Sequence, residues 1–217
     1  MKKYELTSET KIVFGHVLYR IKALSSFGYV SAGDLGGFLE SEKNLSQNGN
    51  AWVYGNAEVY GNAEVSGNAR VSGNAWVSGN AWVSGNAEVY GNAEVYGNAE
   101  VSGNARVSGN ARVSGNARVS GNAWVSGNAE VYGNAEVSKI GSIFWIGAVG
   151  SRNDTATFFR CTDGVIRVTC GCFFGNLDEF AKKVRKTHGD NDHAKVYMLA
   201  IDMAKIRIST EKEKTEE

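Results

Sequence analysis

The chain contains no proline, and the ninety residues from 49 to 138 contain neither histidine nor cysteine. That stretch offers no imidazole base and no soft metal ligand, so His16, His188 and His193 all lie outside it. The cysteines are three, Cys161, Cys170 and Cys172, an odd number that fits reduced thiols better than a disulfide framework. Neither sign of charge is in surplus, with 23 basic and 23 acidic side chains, and no apolar run is long enough to span a bilayer. A soluble protein with no membrane association is expected. Met1-Lys2-Lys3-Tyr4-Glu5 lacks the apolar core of a signal peptide, which points to a cytoplasmic location in a bacterial or infected host cell.

What is present is one phrase. From Gly49 to Ser138 the sequence repeats Gly-Asn-Ala-x-Val-(Ser/Tyr) fifteen times without insertion or deletion. Ala and Val sit two apart, so in an extended strand they share one face while the residue between them takes the other. Gly and Asn accept unusual backbone angles, which lets the chain turn a corner once per hexad. A helical reading fails, because apolar positions recur after two and then four residues and every hexad carries Gly and Asn. A fixed six-residue period of strand and corner predicts a solenoid with a Val and Ala core.

The outward residues set the number of sides. Taken every eighteen residues they read Trp52, Arg70, Glu88, Arg106, Trp124; then Glu58, Trp76, Glu94, Arg112, Glu130; then Glu64, Trp82, Glu100, Arg118, Glu136. Charged neighbours then always differ in sign. In linear order the same residues include like-sign runs such as Glu88, Glu94, Glu100 and Arg106, Arg112, Arg118. Three hexads per lap are therefore expected, giving five regular coils at the roughly 4.8 Å strand spacing. Each exposed ion pair contributes only about 0.2–1 kcal/mol, so the pattern acts mainly by penalising slipped registers.

Non-repetitive ends are expected to cover the open solenoid edges. Residues 1–48 read as an N-terminal cap, with strands at Lys11–Phe14 and His16–Leu24 and a first coil starting within Lys43–Asn48. Residues 139–208 read as a small α+β domain. Its strands are expected at Ile143–Val149, Thr155–Arg160 and Val165–Thr169, and Cys170-Gly171-Cys172 is read in a strand. Asn176 is placed to cap a helix carrying Leu177, Phe180, Ala181 and Val184 on one face, with Glu179 completing a capping box and Gly189 past its end. A second helix starts at Asp192 with Tyr197, Ala200, Ile201 and Ala204 inward. Residues 209–217 are charged and read as a disordered tail.

Read from the valine, the phrase Val-x-Gly-Asn-Ala-x resembles the hexapeptide motif of left-handed parallel β-helix proteins. The stretch from Ile21-Lys22-Ala23-Leu24 through Gly33-Asp34-Leu35-Gly36-Gly37-Phe38 to Asn44-Leu45-Ser46-Gln47 is similar to the N-terminal cap of uncharacterised bacterial and phage hexapeptide-repeat proteins, described as polymer-forming or acyltransferase-like. The resemblance implies a mainly β, left-handed, three-sided parallel β-helix and leaves as the rival reading an acyltransferase or other small-molecule enzyme with its site between subunits. Acyltransferases of that superfamily typically use a histidine presented from the coils, and the coils here have none.

Other chemistry is sparse. Cys170 and Cys172, with Cys161 across a hairpin and His188 and His193 nearby in sequence, suggest a soft-metal or Cys-His site, but zinc pairs usually have two to four residues between cysteines and buried cysteine packs well as a small hydrophobe. His188 suits the C-terminal end of its helix. Lys182, Lys183, Arg185 and Lys186 form a basic cluster that reads as the wet side of an amphipathic helix more readily than as a nucleic-acid contact. Gly-Asn here lacks the strand-to-helix context and following Lys of a phosphate loop. Flat faces of Trp, Glu and Arg exclude ice binding. No catalytic residue, cofactor or metal is expected.

Partner binding is the remaining expectation. Trp52, Tyr54, Tyr90 and Trp124 share the first face and Tyr60, Trp76, Tyr96 and Tyr132 the second, residue types that dominate interaction hot spots; Tyr and Trp are also good strand residues. With the basic cluster, these are the candidate contacts to a protein partner or to a second copy in a homo-oligomer. The chain therefore reads as a non-enzymatic scaffold and binding protein of phage or mobile-element lineage that recognises a partner, such as a host protein or defence system that it inhibits, through its C-terminal module and its aromatic solenoid faces.

Overall fold

The computed structural model describes residues 2–208; the expected tail, 209–217, lies outside the described residues. The chain begins with β1 (Tyr4–Val13), β2 (His16–Ala23) and β3 (Leu35–Leu39). Fifteen two-residue strands follow, β4 (Trp52–Val53) to β18 (Glu136–Val137), each made of the central residue and the valine of one hexad. After them come β19 (Ile143–Val149), β20 (Asp154–Arg160), β21 (Ile166–Cys170), β22 (Phe173–Asn176), α1 (Leu177–His188) and α2 (Asp192–Arg207).

Each of the first twelve hexad strands pairs in parallel with the strand eighteen residues on. Trp52 opposes Arg70, Arg70 opposes Glu88 and Glu88 opposes Arg106. The β4 series and the β6 series each form a five-stranded sheet, and the β5 series continues into β1, β2 and β3 as an eight-stranded one. Inside, each Ala and Val of the hexads is at most 1% exposed. The result is a parallel β-solenoid of about six turns. The sixth comes from the N-terminal segment, since Phe38–Leu39 pairs with Glu58–Val59 and Leu45 bridges Val65. The first coil thus starts earlier than Lys43; a short 3-10 turn, Glu42–Asn44, rounds its corner.

Corners explain the invariant Gly-Asn. The fifteen hexad glycines have φ between +57° and +76°, a region costly for any other L-residue. They are also stacked: a Cβ on Gly85 would come within 2.9 Å of the Gly103 nitrogen one lap on. Ten of the fifteen hexad asparagines then hand their side-chain amide to the asparagine one lap on. Asn50 Nδ2 donates to Asn68 Oδ1 at 3.1 Å, Asn68 to Asn86 at 3.0 Å and Asn86 to Asn104 at 3.0 Å, with matching ladders from Asn62 and Asn74. Such ladders satisfy amides that a lone exposed Asn leaves to water, as in stacked cross-β assemblies.

The two ends close the core differently. At the N-terminus, Tyr4 and Phe27 cover Trp52 with ring centroids 6.1 and 5.4 Å away. The Tyr4 hydroxyl donates to Leu45 O at 2.7 Å, and Lys3 Nζ donates to Ala51 O at 3.0 Å. At the C-terminus the antiparallel sheet β19–β22 is a partition. Ile143, Phe159 and Cys161 join the solenoid core, while Phe158, Ile166 and Val168 face the helices. Strand alternation alone produces this division. Thr157 Oγ1 accepts from the Glu130 amide and Thr169 Oγ1 donates to its carbonyl, pinning the sheet across the last laps. The strand β22 was not foreseen from the sequence, and Gly171 and Cys172 lie in a turn rather than a strand. Asn176 and Glu179 form the expected capping box, and α2 starts at Asp192 as expected, with Asn191 as its N-cap.

Candidate functional site

The solenoid faces spend their outward side chains on one another. Glu88 lies between Arg70 and Arg106, with N···O distances of 3.6 and 3.4 Å. Arg112 lies between Glu94 and Glu130 at 3.1 and 3.3 Å. Trp82 and Trp124, each about half exposed, donate their indole N–H to Ser66 and Ser108 at 3.1 and 3.3 Å.

Several sequence-predicted contact residues are covered. Trp52 is 1% exposed and Tyr60 6%. This corrects the expectation that both lie open: the N-terminal hairpin folds over them, seating Leu18 and Phe38 on Tyr60. Trp76 is half-buried, stacked between Tyr60 and Tyr96 at 6.1 and 5.5 Å and touched by Phe14 at 6.4 Å. Tyr132 packs on Phe174 of the C-terminal sheet, centroids 4.8 Å apart. Burial raises the phenol pKa of Tyr60 and Tyr132. Tyr54 and Tyr90 are half-buried, which leaves Trp124 the most open of the eight candidate aromatics. The second face is thus an internal aromatic stack whose rings bury their flat sides against each other.

The C-terminal module instead holds a cleft of about 580 Å³. Arg152 approaches from the β19–β20 loop and Asp154 from the start of β20, Cys170 from the end of β21 and Cys172 from the turn after it, Lys183 and His188 from α1. Tyr197 on α2 forms its inner wall, with the hydroxyl 3.7 Å from Cys170 Sγ. The turn depends on Gly171, at φ +55°, and a Cβ on Gly150 would strike the Tyr197 ring.

Sequence order hides this convergence, since the lining spans residues 151 to 197 and draws on β20, β21, β22, α1, α2 and the turns between the strands. Cys161 is not part of it; it sits in the solenoid core, bridged through Ala135. The basic cluster divides: Lys183 lines the cleft, while Lys182 and Arg185 line a separate groove between α1 and α2. Burial raises the Cys170 thiol and the Tyr197 phenol, so both are protonated near neutrality. The His188 ring lies against His193 and Tyr197, 5.6 and 5.8 Å away. A protonated thiol is a poor nucleophile. Among the described residues no group of three or more His, Cys, Asp or Glu is placed to hold a metal. The cleft offers hydrogen-bond donors, an aromatic floor and both signs of charge, which suits binding.

Among the described residues no helix is long and apolar enough to cross a membrane. A search of curated proteins found no match to the chain. The family model described as the YdcK beta solenoid repeat matches residues 63–79, 99–115 and 111–127, all within the hexads. The chain is similar to that repeat over those residues, which supports a repeat β-solenoid and says nothing of what the C-terminal module binds.

Proposed function

We propose that this chain is a non-enzymatic scaffold and binding protein, in which a rigid solenoid carries the C-terminal module and the module's cleft takes the partner. The single observation that carries this reading is the contrast between surfaces. Solenoid side chains are occupied by lap-to-lap pairing and by the N-terminal cap, whereas the cleft gathers Arg152, Asp154, Lys183 and Tyr197 from separate elements. We take the solenoid as three-sided and left-handed, the first from the eighteen-residue register and the second from the hexapeptide resemblance. The resemblance of residues 21–47 also motivates the more specific version, a phage or mobile-element product working in the cytoplasm as an inhibitor of a host protein.

The test uses the full chain as bait in bacterial lysate, because the sheet that forms the cleft also closes the solenoid core and the module is not expected to stand alone. Lys183→Glu and Arg152→Glu are compared with the solenoid variants Tyr96→Ser and Trp124→Ser. Loss of the captured partner with the cleft variants supports the reading. Loss with the solenoid variants alone, or turnover of acetyl-CoA, contradicts it.

A further inference from the structure

The cleft of the C-terminal module has two walls of opposite charge. One is a single face of α1: Phe180, Lys183, Val184, Thr187 and His188 follow at steps of three, one, three and one residues, which a helix puts on one side. Phe180 and Val184 are buried at its base, and Lys183 stands exposed beside them. The other wall is the end of the sheet, where Asp154 opens β20 next to the turn at 171–172. A methyl on Gly171 would lie 3.3 Å from Asp154 Oδ2, so the glycine leaves that carboxylate room. Burial, and after it the Asp154 charge, raise the Cys170 thiol, which puts that charge at the inner end of the cleft.

The charges on both walls are unspent. Asp154 Oδ1 accepts from the Thr155 amide at 2.8 Å, and among the described residues Oδ2 accepts no hydrogen bond. Among the same residues Asp154, Lys183 and Arg152 form no salt bridge. On the solenoid, by contrast, Arg112 has a carboxylate on either side.

A ligand of one sign fits this arrangement badly. An anion drawn to Lys183 and Arg152 leaves Asp154 unpaired, and a cation drawn to Asp154 leaves the two bases unpaired. A zwitterion satisfies both walls, through charge-assisted hydrogen bonds, which are the stronger kind. Between the walls the base is apolar: the Phe180 ring lies 5.1 Å from Phe173 and 5.4 Å from Tyr197, a surface suited to an apolar side chain. The volume of about 580 Å³ is that of a small-molecule site, for which the range is about 300–1,000 Å³.

We propose that the cleft binds a free amino acid with an apolar side chain, its ammonium on Asp154, its carboxylate on Lys183 and Arg152, and its side chain on Phe173, Phe180 and Val184. The inference rests on the reading of the cleft as the binding site and names the class of molecule that enters it.

Isothermal titration calorimetry of the full chain tests it, with L-phenylalanine and L-leucine as probes. Both should bind at one site per chain. Phenethylamine, which lacks the carboxylate, hydrocinnamate, which lacks the ammonium, and glycine, which lacks the side chain, should each bind at least about tenfold more weakly than L-phenylalanine. Asp154→Asn should weaken L-phenylalanine at least about tenfold and leave hydrocinnamate no weaker. Lys183→Gln combined with Arg152→Gln should weaken L-phenylalanine and leave phenethylamine no weaker. All three positions are exposed, so the circular dichroism should not change. Absence of binding by both amino acids at millimolar concentration overturns the inference, as does affinity indifferent to both sets of substitutions. Hydrocinnamate or phenethylamine binding as tightly as L-phenylalanine makes the cleft a site for one sign of charge and equally overturns it. If the amino acids fail to bind while Lys183→Glu and Arg152→Glu still release the captured partner, this inference falls and the partner-binding reading stands. If L-phenylalanine binds as expected while capture survives those two changes, the partner-binding reading falls and this inference stands.

Discussion

Arg106 lies one lap from Glu88, its Nε 3.4 Å from Glu88 Oε2, while Arg112, the next arginine in the chain, belongs to a different sheet. Neighbours in sequence are thus separated in space, and residues eighteen apart become neighbours. Like charges that would repel in linear order are dispersed around the coil, and opposite charges align along it.

Arg112 offers the sharpest test of that ladder because carboxylates flank it on both sides, Glu94 at 3.1 Å and Glu130 at 3.3 Å. Arg112→Glu turns two attractions into two repulsions at a half-exposed site, with an expected loss of roughly 1–2 kcal/mol. Urea unfolding at low ionic strength should show it, and high salt should remove most of the difference.

Two glycines separate backbone conformation from stacking. Gly55 has φ +61° with nothing within 4 Å of an added methyl, whereas a Cβ on Gly91, at φ +76°, meets the Gly109 backbone at 3.1 Å. Gly55→Ala should cost about 1–2 kcal/mol from the left-handed backbone alone. Gly91→Ala should cost clearly more, since two stacked laps must part. Thermal melts of the pair measure the difference.

Glu40 ties the N-terminal hairpin to the solenoid. Its Oε1 lies 2.8 Å from His16 Nδ1, and its Oε2 accepts from the Gly61 amide at 2.7 Å. The His16 hydrogen bond, then the Gly61 amide, hold its carboxyl below the ordinary 4.5. A depressed folded-state value means the contribution is full above the unfolded value and lost as pH falls through the folded one. Glu40→Gln should therefore lower stability near neutrality and flatten the acid-side decline from about pH 5 to about pH 3. An identical acid slope in both proteins would count against this tie.

The three thiols should react in order of access. Cys172 is exposed, Cys170 is half-buried with a raised pKa, and Cys161 is buried in the solenoid core, also with a raised pKa. Iodoacetamide on the native chain should label Cys172 first and Cys161 only on unfolding, read by peptide mass spectrometry.

The ladders were legible because a strict period converts sequence distance into spatial distance: Glu100 over Arg118 follows from counting by eighteen. The Asn86-to-Asn104 bond was written in the same period and was missed, because Gly-Asn explains itself fully as a corner. Contacts of the unrepeated ends carry no such ruler. Nothing in the order of residues brings Tyr4 and Phe27 onto Trp52, or Phe174 onto Tyr132. Those depend on how the hairpin and the closing sheet cover apolar surface left at the solenoid's ends, a tertiary choice that overrides an outward strand position. The cleft belongs to the same class, since Cys170 and Tyr197 meet only after the sheet and both helices have packed.

The eighteen-residue register is tested most directly by engineered cross-links. Glu100→Cys with Arg118→Cys places two thiols on register partners of adjacent parallel strands, whose spacing of about 4.8 Å falls within the Cα range a disulfide accepts. Glu100→Cys with Arg106→Cys places them on different sheets. Mild oxidation followed by peptide mapping should find the 100–118 bond in high yield and little of the 100–106 bond; a 100–106 bond formed as readily, or a 100–118 pair that stays reduced, would contradict the stacked register.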